Sequence, residues 1–404
     1  EGVNQDITNT LWAFATVPCE HEPLFTFLSL HASERAQEFK PQELANSIWS
    51  LATVALKHEA LVLRVSRQVS QLSSEFLTQN LANFVWAYAK LAYSEDTVIE
   101  CVQAEAMRKL NSFSGQDLST TVWAFSTMAH RNDKFLQRCV AKIAHEKNLQ
   151  PQHASNTLWA LASVPFHDHA CFAGVVQKVS HQLGLFKPQE LSNIVWACAT
   201  VAHRDQKFVD LVAEEALQRL KDFDPQGIGN TAWAVSLLKT TVEEIYSGIW
   251  GRLGDTACLL HCSEKVFSML VWTFFRSGKH ELAWRLFDRL VLNRVNPGVA
   301  AIGVWLHYCC QRAPDADQEI RVLGYLAKLR PCRHMIIVVL NAVVMQLCAH
   351  GQMHNAKALL DKMDADGASD PVTQHLHGRF AANTDWCGQC TLDWRVPFRV
   401  RGNP

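Results

Sequence analysis

The sequence has no excess charge of either sign. Its 38 Lys and Arg stand against 39 Asp and Glu, a formal net charge of −1 over 404 residues. No global basic field marks a nucleic-acid binder, so any such site must be local. Long apolar runs are missing as well. The longest, near Met335 to Cys348, carries Asn341 and Gln346 and is too short to cross a bilayer, so no membrane partner is expected. There is no glycine-rich phosphate loop, no Ser/His/Asp constellation at interpretable spacing and no acidic metal cluster. The acidic run DKMDADGASDP from Asp361 to Pro371 reads as a helix-ending turn. These absences predict a protein that is not an enzyme and uses no cofactor. An initiator Met is also missing: Glu1 falls inside a repeat, which reads as a fragment with any targeting peptide out of view. The 13 cysteines, an odd number scattered through helix-like segments, suit buried free thiols in a reducing compartment better than a disulfide framework.

What the sequence does have is 48% hydrophobic residues and one dominant period. Trp12, Trp49, Trp86, Trp123, Trp159, Trp196 and Trp233 are 37, 37, 37, 36, 37 and 37 residues apart. A fixed spacing of this size is the mark of a repeat array. Other residues keep the register. Seven before each Trp stands Gln5, Gln42, Gln79, Gln116, Gln152, Gln189 and Gln226; three before it stands Asn9, Asn46, Asn83, Thr120, Asn156, Asn193 and Asn230. Four after it stands Thr16, Thr53, Lys90, Thr127, Ser163, Thr200 and Leu237.

Pro41, Pro151, Pro188 and Pro225 precede their Gln residues, and Pro is favoured at the first helical position. Apolar residues five and one before the Trp, and two and five after it, make one broad helical face. Small residues four before and three after it lie beside that face and admit a close neighbour. The Gln, Asn and Thr/Lys columns fall on one line opposite. A second, more charged helix follows in each unit, as in KFVDLVAEEALQRLKDF from Lys207 to Phe223. Each unit is therefore a helical hairpin that buries its apolar face only by stacking. The predicted fold is all-α, a right-handed solenoid of about ten repeats.

The polar line has two readings. The Asn residues can form a ladder to the neighbouring tile's backbone, with the Gln capping its own helix. Alternatively the line lies on the concave face and holds one long ligand by its backbone, making Asn9, Asn46, Asn83, Lys90, Asn156, Asn193 and Asn230 candidate RNA contacts. The repeated Trp reads as core filling rather than a stacking platform, and the variable column two before it (Thr10, Ser47, Phe84, Thr121, Thr157, Ile194, Thr231) as simple exposure. Arg131, Lys134, Arg138, Lys142 and Lys147 share one second helix, a solvated face or a phosphate contact.

The phrase PQELSNIVWACATVA, with its period and hairpin, resembles the octotricopeptide and heptatricopeptide repeat families and is similar to arrays in FAST-kinase-like and RAP-domain proteins. The resemblance covers residues 1–262, seven repeats, and no RAP domain is visible. It implies an organellar factor, in a mitochondrion or chloroplast, that binds single-stranded RNA in processing, stability, translation or ribosome assembly, alongside ribosomal or RNA-processing proteins. From Ser263 the phrase changes. VFSMLVWTFFRSGKHELAWRLFDRLVLNRVNP and VLNAVVMQLCAHGQMHNAKALLDKMDADG resemble pentatricopeptide repeats, giving about three over 263–371. That family implies Ser268, Gly303 and Asn341 at the base-reading position, Ser268 for a purine, Asn341 for a pyrimidine and Gly303 blind. A tetratricopeptide-type protein–protein scaffold is the rival on pattern. In the tail, 372–404, His375, His377, Cys387 and Cys390 have the donors for a tetrahedral zinc site, or the Cys-x-x-Cys forms a redox pair, or the segment simply ends the chain; no metal is assigned.

Overall fold

The computed structural model describes residues 2–293 except 18–20, 131 and 165–167. Beyond them it describes 295, 301, 340–341, 344–345, 347–348, 351, 353–365, 367 and 371–381, leaving out residue 294. The described residues form helices and no strand, and successive hairpins stack: the architecture is an all-α solenoid. Two compact units divide at His203/Arg204.

In the first unit the tile-leading helices are α1 (Gly2–Thr16), α3 (Pro41–Thr53), α5 (Thr78–Lys90), α7 (Gly115–Thr127), α9 (Pro151–Ser163) and α11 (Pro188–Thr200). Each packs along its length on the next. The second helices, α2 (Glu22–Arg35), α4 (Glu59–Leu72), α6 (Asp96–Arg108), α8 (Asp133–His145) and α10 (His169–Val179), form the other layer. The small-residue columns explain the close stacking. Ala45, Ala82, Ser119, Ser155 and Ser192, with Ala52, Ala89, Ser126, Ala162 and Ala199, are all buried where one leading helix meets the next.

Local chemistry sets the ends. A short 3₁₀ turn and a buried aromatic, Phe39, Phe76, Phe113 or Phe186, close most tiles. The aromatic precedes the next leading helix at the staple position, three residues before its Gln. The helix start is not capped by that Gln, contrary to one expectation. The residue after it serves instead: Glu43 Oε2 accepts from the Lys40 N–H at 2.8 Å, Asn80 Oδ1 from Leu77 at 3.1 Å, and Glu190 Oε2 from Lys187 at 2.8 Å. At the far end, Ala55, Ala92 and Ala129 take φ of 55°, 58° and 55°. The N–H groups of Leu56, Tyr93 and His130 reach back to the carbonyls of Leu51, Tyr88 and Phe125, which is the Schellman closure. Tile five ends otherwise. Pro165 follows it in the sequence, Pro is barred from positive φ, and Val164 leaves α9 extended at φ −117°.

Lysines of the second helices tie tiles together. Lys109 Nζ donates to the Ser74 and Phe76 carbonyls at 2.7 and 2.6 Å, Lys142 to Leu110 and Asn111 at 2.8 and 2.6 Å, and Lys178 to Ala144 at 2.9 Å. Lys142 therefore leaves the basic patch expected on α8. Arg138 leans on Met107 Sδ, and Arg131 lies outside the described residues. At the first tile Phe14 is 37% exposed, whereas Leu51, Tyr88 and Phe125 at the same register are buried. Phe27 and Leu30 of α2 are exposed as well.

The second unit contains α12 (Gln206–Arg219), α13 (Pro225–Leu238), α14 (Glu244–Arg252), α15 (Thr256–Leu260), α16 (Glu264–Arg276), α17 (His280–Leu292), α18 (Met353–Ala365) and α19 (Pro371–Ala381). Helix α16 packs on α13 as one leading helix packs on another, and Trp272 faces Trp233 at 6.4 Å. The tile plan thus runs on past Ser263, where the phrase changes. Gly278, six after Trp272, takes the positive φ (72°) that alanine takes in the first unit. Asp210 fastens the loop after α13, accepting from the Thr240 hydroxyl and from the Thr241 N–H and hydroxyl at 2.7–2.8 Å.

Among the described residues seven cysteines are free thiols, five of them buried as expected, with Cys101 and Cys171 half-buried. Burial pushes Cys139 and Cys262 up to about 12, and burial followed by the Asp168 carboxylate pushes Cys171 up to about 11. All three are free thiols rather than thiolates, poorly suited to nucleophilic or metal chemistry.

Candidate nucleic-acid interface

The polar line predicted from the repeat exists as a surface. Gln5, Gln42, Gln79, Gln116, Gln152 and Gln189 are exposed; Asn9 is exposed, and Asn46, Asn83, Asn156 and Asn193 are half-buried beside the Trp column. Lys90 is exposed at the end of α5 and makes no ion pair among the described residues. Thr53, Ser163 and Thr200 turn their hydroxyls onto the Trp49, Trp159 and Trp196 carbonyls of their own helices, each at 2.9 Å.

The expected Asn ladder is not there. Among the described residues, the side chains of Asn46, Asn83, Asn156 and Asn193 make no hydrogen bond to the neighbouring tile or to their own. Their amides are half in solvent and keep both donors and the acceptor unused. Asn230, in the second unit, differs: its Oδ1 accepts from Gln226 Nε2 at 2.8 Å.

The tryptophans correct a second expectation. In the first unit they are not buried core, whereas Trp233 of the second unit is, at 9% exposure. Trp12 is 47% exposed, and Trp49, Trp86, Trp123, Trp159 and Trp196 are half-buried. From the second tile on, the columns one before and two after them are sealed instead. The rings follow one another along the first unit: Trp49 to Trp86 at 6.2 Å, Trp123 to Trp159 at 6.5 Å and Trp159 to Trp196 at 6.3 Å, tilted by 28–33°. The first pair is tilted and the other two are stacked, and each ring remains half-exposed. No ring contact joins Trp86 to Trp123, the step next to Lys90 and Thr120. In these five tryptophans the indole N–H donates to no described protein acceptor, and none is a buried orphan. A buried indole N–H normally finds a partner, so these donors face solvent.

The variable column is a third correction. Ser47, Phe84, Thr121, Thr157, Ile194 and Thr231 are buried, not exposed. The hydroxyls of Ser47, Thr121 and Thr157 bond back to carbonyls of their own helices, so residues of different shape are tolerated there without reaching a ligand.

The C-terminal base-reading candidates are sealed also. Ser268 is 2% exposed and bonds the Glu264 carbonyl at 3.0 Å. It occupies the small-residue column four before Trp272, where helices approach. Asn341 is 3% exposed, and its Oδ1 accepts from the Thr373 hydroxyl of α19 at 2.8 Å. Gly303 lies outside the described residues. Of the zinc candidates, His375 is exposed, His377 Nε2 sits 2.7 Å from Asp364 Oδ2 of α18, and Cys387 and Cys390 lie outside the described residues. No metal-holding group of His, Cys, Asp and Glu occurs among the described residues, and no helix there is long and apolar enough to cross a membrane.

One irregular position beside the line is His153. It stands where Glu43, Asn80 and Glu190 cap their helices, yet it makes no capping bond, and its Nδ1 is buried without a partner. Burial lowers its pKa, against the pull of Glu146 and Asp117.

The family model for RNA-editing substrate-binding complex 6 protein matches residues 3–277, more than half of the chain. The chain belongs to that family. No curated protein sequence matches it.

Proposed function

We propose that this chain is a non-catalytic RNA-binding solenoid that holds single-stranded RNA in organellar RNA metabolism, in a mitochondrion or chloroplast, beside other RNA-processing proteins. The family's name points to the substrates of RNA editing within the wider range of processing, stability, translation and ribosome assembly. Kinship with the octotricopeptide and heptatricopeptide arrays belongs to the same reading. The observation that carries it is the line of side chains in the first unit, repeated once per tile, whose amide and indole groups are turned to solvent with no protein partner. A repeated donor set suits a ligand that repeats its own acceptors, as a nucleic-acid backbone does.

The test pairs binding with melting. Asn83→Ala with Asn193→Ala removes two amides that bond nothing in the protein, so the melting temperature should hold while affinity for an unpaired RNA falls. Lys90→Ala should flatten the salt dependence by roughly one phosphate's worth. No binding to any RNA, or a fall in melting temperature with unchanged affinity per folded molecule, would reject the reading.

A tetratricopeptide-type protein scaffold is the second reading. The exposed Phe14, Phe27 and Leu30 on the first tile favour it, as does the absence of a net positive charge. It requires partner proteins that stay bound after ribonuclease treatment and are released by Phe14→Ser with Phe27→Ser.

A further inference from the structure

We infer that the tryptophan line of the first unit is a nucleobase-stacking track: each tile takes one nucleotide, the base against the indole ring and the sugar–phosphate against the indole N–H and the neighbouring amide. This rests on the RNA reading above and specifies its chemistry.

Three observations converge. The first is burial. A Trp kept only to fill space would be sealed like the columns on either side of it. Trp49, Trp86, Trp123, Trp159 and Trp196 instead stay half open along one line. The second is hydrogen bonding. Their N–H groups are unused, and the Asn one turn earlier on the same helix is unused too at Trp49, Trp86, Trp159 and Trp196. An indole N–H only donates, so it suits acceptor-only phosphate oxygens or a ribose oxygen. The third is the step. Within the pairs Trp49–Trp86, Trp123–Trp159 and Trp159–Trp196 the rings stand 6.2–6.5 Å apart, a spacing within the reach of one nucleotide of an extended single strand. The rings form two apolar runs, Trp49–Trp86 and Trp123–Trp159–Trp196, broken between Trp86 and Trp123, and each ring stays half-exposed.

The consequence is a binding mode indifferent to sequence. Every base has a π-face, and stacking on aromatic platforms tolerates all four. The columns on the line are nearly uniform from tile to tile, and the column that varies is buried from the second tile on, so those tiles present nearly the same groups to every base. A duplex, whose bases are already stacked on each other, would be refused.

The experiment follows tryptophan fluorescence of the whole chain during titration with three probes: an unstructured oligo(A), an oligo(U) of equal length, and an abasic ribose–phosphate oligomer. The expected result is quenching by both base-bearing strands, with the abasic strand bound at least about fivefold more weakly, the worth of a single stacked base at the low end. Trp159→Leu keeps apolar volume and loses the ring face; it should weaken oligo(A) by about tenfold. Trp159→Phe keeps a ring and loses the N–H, and should bind between the two. If Trp159→Leu does not fold, the abasic comparison on the native chain decides alone. Equal affinity for abasic and base-bearing strands with silent fluorescence overturns the stacking track while leaving RNA binding intact. Failure of every RNA to bind, or quenching by an extended peptide instead, overturns the RNA reading along with it.

Discussion

Changing Ala55, Ala92 and Ala129 to glycine should stabilise the first unit, although a helix-favouring residue is being replaced by the most flexible one. Each alanine ends a leading helix at φ 55–58°. A left-handed backbone costs a non-glycine residue roughly 1–2 kcal/mol. Glycine removes that cost but loses about 0.4–1 kcal/mol through the greater freedom of its unfolded chain. The difference is a gain of about 0.5–1 kcal/mol per site. Nothing is lost in packing, because the three methyl groups are exposed. The molecule already shows the alternative: Gly278 holds the same register after Trp272, at φ 72°, and Gly278→Ala should cost a similar amount. The closing hydrogen bonds, Leu56 N–H to Leu51 and its counterparts in the next two tiles, use backbone atoms and survive the change. Urea titration should show the midpoint rising stepwise across single, double and triple variants with an unchanged slope, since the area exposed on unfolding is the same. Stacked repeats need not unfold in one step, so hydrogen exchange at His130, Tyr93 and Leu56 should slow in parallel. A midpoint that falls with each glycine would refute the left-handed closure, and with it the tile geometry that aligns the tryptophans.

Two further outcomes follow from the same packing. His153 titrates below its ordinary value because burial disfavours its charged form. The unfolded chain therefore binds the extra proton first, and this histidine's contribution is lost as pH falls through the unfolded histidine value, about 6.5, toward the lower folded one. His153→Asn, which supplies the cap Asn80 makes in its own tile, should flatten the stability profile in that window; a profile as steep as the parent's would show that another group titrates there. Lys109→Met should cost roughly 1.5–3 kcal/mol, the range for hydrogen bonds from charged donors, since Nζ alone satisfies the Ser74 and Phe76 carbonyls closing the preceding tile. A loss within about 0.5 kcal/mol, as for an ordinary surface substitution, would reduce that lysine to a solvated charge.

The sequence by itself determined the fold class, because a Trp every 37 residues with small and apolar columns in register describes a unit that cannot bury its own face and must stack. It also determined that Gln, Asn and Thr/Lys share one line, since helical spacing alone puts them there. Burial of the tryptophan was different. A Trp at the margin of an apolar face fits equally well inside or half outside, and only the approach of the neighbouring helix over Ala45, Ala82 and Ser192 decided that the columns beside it are sealed while the ring is not. The same approach buried the variable column, whose hydroxyls return to their own helices and so read from the sequence like surface residues. Partners across a tile boundary were equally out of reach. Lys142 looks like one more exposed cation until the Leu110 and Asn111 carbonyls arrive beside it from 31–32 residues away. Asn341 looks like an early-helix polar group until Thr373 closes on it. The buried Phe before most leading helices carried a signal in its own spacing, at Phe39, Phe76, Phe113, Phe186 and Phe223, a column that the same period extends outside the helix. Periodicity fixes which residues share a face; which face meets a neighbour, and how closely, is settled by side-chain volume and by carbonyls from other tiles, and those are properties of the packed structure.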